Sequence, residues 1–213
     1  MRKWLIALTA LVVVVVGADF GLRLLAEYSV GRSLQSALSL SERPSVSMGG
    51  FPFIPELVTG NVDSVTMRVN GWSSEDRVSL ESVMLTLHDV SFSPGQLLVG
   101  GRTRISALSG EGTAEIMEED LNRALAASVP ATIHLRDDRV VIRWDQIGQE
   151  IAATASISDA SLVLQPVEPS LPLVSVDLPK LVKGLTYREV RIERDVATLS
   201  FTLRRAVFKI GRS

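Results

Sequence analysis

From Val65 onward the apolar residues recur at every second position, and that period constrains this chain more than any other feature. Val65, Met67 and Val69 alternate with Thr66 and Arg68, while Val83, Leu85 and Leu87 take one face against Met84, Thr86 and His88. Arg102–Met117 reads as one or two strands, and Asn70-Gly71 predicts a turn. Three hairpins close the chain. Ile133 and Leu135 turn at Asp137-Asp138 into Val140, Ile142 and Trp144, and Ile151 to Ile157 turns at Ser158-Asp159 into Leu162 and Leu164. Val190 and Ile192 turn at Arg194-Asp195 into Val196, Leu199, Phe201 and Leu203, after a connection carrying Pro166, Pro169, Pro172 and Pro179. Hairpins in succession without crossover helices predict an antiparallel sheet and an α+β fold.

Such strands need cover on their apolar face. Two helices are available, an amphipathic one over Phe20–Leu40 and a short one over Glu118–Ala127 with acids in its first turn. A sheet of about eight strands, each near 10 residues, is too broad for two helices about 10–12 Å across. It must curl on itself, pack sheet on sheet, or keep an apolar trough. The residues expected to line that trough are Leu24, Leu25, Tyr28, Leu34 and Leu38 on the helix stripe, with Phe51, Phe53, Val83, Leu85 and Leu87. The same ten are core candidates, and periodicity does not separate the two roles.

The N-terminus points out of the cytoplasm. Arg2 and Lys3 precede an uncharged run, Leu5–Ala18, that as a helix spans about 21 Å against a hydrocarbon core of roughly 30 Å. Val16-Gly17-Ala18 offers a signal-peptidase site; the alternative is an anchor that continues past Asp19 through Phe20 and Leu22. Either way residues 1–18 are a leader or anchor and 19–213 a single exported domain, on the periplasmic side of a cell envelope. An exported chain without cysteine suits a bacterial envelope in which folding does not depend on disulfides.

Composition excludes several chemistries. With Arg2 and Lys3 set aside, 20 of the 22 basic residues face 24 acidic ones, which argues against nucleic acid as a partner. Zero cysteines and two histidines, His88 and His134, leave no thiolate or histidine-rich metal centre, and neither a metal nor a cofactor is expected. Gly100-Gly101-Arg102-Thr103 lacks the lysine and the helix of a phosphate loop. Glu118-Glu119-Asp120 reads as the start of a helix rather than as paired catalytic acids, and Arg188, Arg191 and Arg194 interleave with acids as a solvated face does. No catalytic residue is expected, and the chain is read as a non-enzyme.

Gly49-Gly50-Phe51-Pro52-Phe53-Ile54, followed by Leu57-Val58-Thr59-Gly60 and Asp63-Ser64-Val65-Thr66, resembles the signature region of the LmeA-like phospholipid-binding proteins of actinobacterial envelopes. Ser109-Gly110-Glu111-Gly112-Thr113-Ala114, leading to Asp120-Leu121-Asn122-Arg123-Ala124-Leu125, resembles a second landmark of that family. Glu118-Glu119 departs from the less acidic pair expected there. The resemblance covers nearly everything after the leader. It implies a curved antiparallel sheet wrapped on a long N-terminal helix, as in tubular lipid-binding domains. It also implies binding of an anionic phospholipid such as phosphatidylinositol at a membrane surface, and support for lipid transfer or mannan-containing glycolipid assembly beside envelope glycolipid-synthesis enzymes. A tethered scaffold that holds no lipid is the competing expectation, and a carboxylate hydrolase the remote one.

Overall fold

The computed structural model describes residues 2–37, 40–73, 78–95, 103–126, 129–144, 148–179 and 181–210. In chain order the elements are α1 (Arg2–Ala37), β1 (Ser45–Met48), α2 (Phe53–Thr59), β2 (Asn61–Ser73), β3 (Ser79–Ser91), β4 (Thr103–Met117) and α3 (Glu118–Leu125). Seven strands follow: β5 (Ala131–Arg136), β6 (Arg139–Trp144), β7 (Glu150–Ser158), β8 (Ser161–Pro166), β9 (Val174–Asp177), β10 (Leu185–Glu193) and β11 (Val196–Ile210). This is the α+β class predicted above, a long N-terminal helix with curled antiparallel sheets. The strands form a six-stranded sheet in the order β1-β2-β3-β4-β11-β10 and a five-stranded sheet in the order β5-β6-β7-β8-β9.

Two compact units divide the chain. The first comprises Met1–Met67, Thr86–Leu108 and Val207–Ser213. Its helix α1 starts at Arg2, so the apolar leader and the expected amphipathic helix are one element, with no break at Gly17-Ala18. Arg2–Ala18 contains no proline and a single glycine, and its run of valines lowers helix propensity only slightly, so nothing local stops the helix. Its inner face differs from the predicted stripe. Ala26 and Val30 pack on the buried cluster of Met48, Phe53 and Val62, whereas Leu24 and Tyr28 face outward. Gly31 allows the chain after the helix to return closely: a Cβ there would stand 2.9 Å from the Pro44 carbonyl oxygen.

Within this unit β3 keeps its apolar residues inward by a bulge. Leu87 and Val90 are both buried although three positions apart, and Asp89 between them takes a φ of 51°. One left-handed residue resets the parity of the pleat. The predicted turn at Asn70-Gly71 is not one: β2 runs through it to Ser73, with Gly71 taking a φ of 62° inside the strand. A glycine that enters the left-handed region suits the interior of an irregular strand as well as a turn.

The second unit comprises Arg68–Leu85 and Ser109–Ala206. Its five-stranded sheet is a meander with continuous register, Ile133 opposite Ile142, Ala155 opposite Leu164, and Leu162 opposite Val176. Ile133, Leu135, Ile142, Leu162, Leu164, Leu199 and Leu203 are fully buried, at the alternate positions the sequence marks. The second hairpin turns one residue later than expected, at Asp159-Ala160, where φ values of 47° and 64° match the favoured two-residue turn. The four-residue β9, hidden in the proline-rich connection, completes the sheet. Arg205, with a φ of 50°, repeats the bulge device in β11, since Leu203 and Ala206 are both buried.

Helix α3 covers the edge of β5 through side chains. Asn122 Nδ2 donates to the Ile133 carbonyl at 2.8 Å, and Asn122 Oδ1 accepts from the Ile133 N–H at 2.7 Å. One turn earlier Glu118 Oε2 accepts from the Leu135 N–H at 2.6 Å. Two residues four apart on a helix thus stand in for a neighbouring strand, which blunts an edge otherwise open to pairing.

Candidate functional site

The Gly-Phe-Pro-Phe segment builds its site by sending two phenylalanines in opposite directions. Phe53, the first residue of α2, is fully buried, while Phe51 is 67% exposed and lies with its ring 6.4 Å from that of Phe20. Pro52, at the cap position of α2, has no side chain able to accept a hydrogen bond. The cap comes from α1. Asp19, 4% exposed, accepts from the N–H groups of Phe53 at 2.9 Å and Ile54 at 2.7 Å. A carboxylate at a helix N-terminus meets both the orphan donors and the positive end of the helix dipole.

Further along α1, Glu27 Oε1 accepts from the Met48 N–H at 2.8 Å and from Arg23 Nε at 3.0 Å, so β1 is tied to the same helix. Gly49 continues the strand contact by donating its N–H to the Ser64 carbonyl at 2.8 Å. Gly50 takes a φ of 106° and lies against the Glu56 carboxylate where a Cβ would collide. Burial raises the Glu56 carboxyl above its ordinary range, with Asp63 and Asp19 adding to the rise and Arg23 partly opposing it. Its Oε2 is buried without a hydrogen-bond partner.

These ties hold α1, β1 and α2 around an apolar cavity of about 330 Å³ that lies wholly within the first unit. Helix α1 contributes Leu22, Leu25, Ala26, Val30 and Leu34 to its wall. Phe53 and Leu57 come from α2, Val65 and Met67 from β2, Leu87 and Val90 from β3, and Phe208 from β11. Ser29 is the one polar residue among the described lining residues. Leu25 is 65% exposed and also lines the cavity, so the space opens at that edge of α1.

Of the ten residues marked from sequence, Leu25, Leu34, Phe53 and Leu87 line this cavity. Leu24, Tyr28 and Phe51 are on the outside, and Val83 and Leu85 are buried in the second unit. Leu38 lies outside the described residues. The helix stripe is displaced because α1 turns charged groups inward: Asp19 accepts from the start of α2 and Glu27 from the Met48 N–H of β1, while Leu24 and Tyr28 take the outer face. Ala26, Val30, Val46 and Leu57 were not marked. Val30 and Val46 carry an ordinary apolar signal, whereas Leu57 sits in a helix of two turns too short to show a period.

In the second unit Glu118, His134, Arg136, Asp137, Arg194 and Asp195 line an open polar depression, and two pairs form among them. His134 Nδ1 is 3.1 Å from Glu118 Oε1, and Arg194 Nη2 is 3.3 Å from Asp137 Oδ2. Glu118 also holds the β5 backbone, which gives the first acid of α3 a structural role. No cluster of three or more side chains fit to hold a metal occurs among the described residues.

A family model described as LmeA-like phospholipid-binding matches residues 17–204. Comparison with curated proteins and with solved structures returned no match.

Proposed function

Because the chain belongs to the LmeA-like phospholipid-binding family, we propose that the cavity of the first unit receives the acyl chains of a phospholipid. The observation that carries this reading is the wall itself, hydrocarbon on every side apart from Ser29. A space of about 330 Å³ lies within the range of about 300–1,000 Å³ typical of ligand sites. Left without a guest, the hydrocarbon of that open wall faces water at a cost of about 25 cal/mol per Å² of apolar surface. An apolar guest offsets that cost. Each buried methylene is worth about 0.8 kcal/mol against water, so an acyl chain leaves a bilayer only for a site about as dry. Transfer between the two is then nearly balanced, as a carrier requires.

The finer reading follows the family. The guest is an anionic phospholipid of the phosphatidylinositol kind, and the protein acts without catalysis on the outer side of an envelope membrane. It supplies or holds lipid for the assembly of mannan-bearing glycolipids. Vesicles that contain phosphatidylinositol, phosphatidylglycerol or phosphatidylcholine test the preference directly. Delipidated protein is expected to extract the two anionic lipids and to leave the zwitterionic one largely behind. Equal uptake of all three removes the headgroup claim, and uptake of none removes the carrier and favours a tethered scaffold.

A further inference from the structure

The exposed side of α1 carries a graded series of side chains. Trp4 through Val15 is exposed around the helix and apolar apart from Thr9, whose hydroxyl donates to the Leu5 carbonyl at 2.9 Å, and this is the one described helix long and apolar enough to cross a membrane. Beyond it Phe20, Leu24 and Tyr28 follow at intervals of four, so they share one face, and all three are exposed. Phe51 adds a second ring beside Phe20. The Arg43 guanidinium lies over the Tyr28 ring, 4.5 Å from its centroid, and Arg32 is exposed one turn further on. Hydrocarbon thus gives way to an amphipathic ring and then to cations.

The spacing matches a bilayer. At about 1.5 Å per residue, Trp4 to Leu24 spans roughly 30 Å, the thickness of a hydrocarbon core, and Tyr28 stands about 6 Å beyond, among headgroups. Trp and Tyr at the two ends occupy the positions that aromatic residues favour at membrane surfaces, and Arg2 and Lys3 lie outside the Trp4 end. Ending the span at Ala18 leaves it at about 25 Å or less. Two charged residues oppose the longer span: the Asp19 carboxylate is withdrawn from the surface by the N–H groups of Phe53 and Ile54, and Arg23, one residue before the Leu24 end of that span, is paired with Glu27 at 3.0 Å. A polar group satisfied inside the protein is the form in which one is tolerated at membrane depth.

We infer that α1 is retained as an anchor and that the bilayer surface lies at Leu24–Tyr28, with Phe20, Leu24 and Phe51 seated in lipid. Leu22 and Leu25, which touch both solvent and cavity, then stand at that surface, and acyl chains enter without crossing water. This consequence rests on the cavity reading; the depth of the collar does not. The chain has no cysteine, so a single one carries a fluorophore at a chosen place. Full-length Leu24→Cys, Phe51→Cys and Ser36→Cys, each labelled, are reconstituted into phosphatidylcholine–phosphatidylglycerol vesicles containing lipid brominated in the upper acyl chain. The labels at 24 and 51 are expected to lose more than half their emission and the label at 36 to lose none. Emission unchanged at 24 and 51 places the surface at or before Asp19 and overturns the inference. Quenching at all three positions lays the whole helix on the membrane and overturns it equally. Both results are read whether or not the cavity takes up lipid, so failure of the carrier reading is seen separately in the extraction assay.

Discussion

Asp19 and Glu56 are two carboxylates of the first unit with opposite energetics. Asp19 accepts two backbone N–H groups at a helix start, and a hydrogen bond to a charged group contributes about 1.5–3 kcal/mol. Asp19→Ala is expected to lower the unfolding free energy by about 3 kcal/mol, measured by denaturant titration, and Asp19→Asn by less because one acceptor remains. Glu56 has a buried oxygen without a partner, and its native carboxyl titrates above the ordinary glutamate value. Between those two values the native state holds a proton that the unfolded chain has released. Stability therefore falls as pH rises through that window, and the ionised form is the strained one. Glu56→Gln is expected to be more stable than the parent near neutral pH and to lose this part of the pH dependence. A variant that is less stable at neutral pH contradicts the assignment.

At the scale of elements, cover for exposed backbone and close approach decide what each segment tolerates. Asn122→Ala leaves the N–H and carbonyl of Ile133 without partners at the edge of β5, and a loss of about 2–4 kcal/mol is expected in the same titration. Gly31→Val forces a side chain against the Pro44 carbonyl and is expected to cost about 1–3 kcal/mol, with thermal unfolding as the readout. The strands were legible from sequence because a pleat buries every second residue, as β5 and β8 do without interruption. The bulges at Asp89 and Arg205 were not, because a left-handed residue other than glycine leaves no mark in composition. Helix α1 was legible as a helix and misread by face, since an element apolar on most sides has no period to read, and the groups it turns inward are acids that accept backbone N–H groups of α2 and β1. β1 and β9 have four residues each, too few for alternation to register, and α2 lies inside a run of glycine and proline that reads as a loop.

At the scale of the whole molecule, strands too broad for their helical cover predict apolar space but give it no address. Breadth alone does not separate the residues that close over themselves from those that stand apart. Leu85 and Leu87 show the difference: two residues apart on one face, the first is buried in the second unit and the second lines the cavity. Leu85→Trp is accordingly expected to overpack a closed core and to lower the thermal midpoint. Val65→Trp places its ring in the cavity and is expected to leave that midpoint nearly unchanged while abolishing lipid uptake. Native mass spectrometry of the parent and Val65→Trp proteins after incubation with phosphatidylinositol vesicles bears most directly on lipid residence in the first unit. The expected spectra show one added phospholipid mass on the parent and none on Val65→Trp. A parent protein without the adduct, or a variant that carries it equally, contradicts the account.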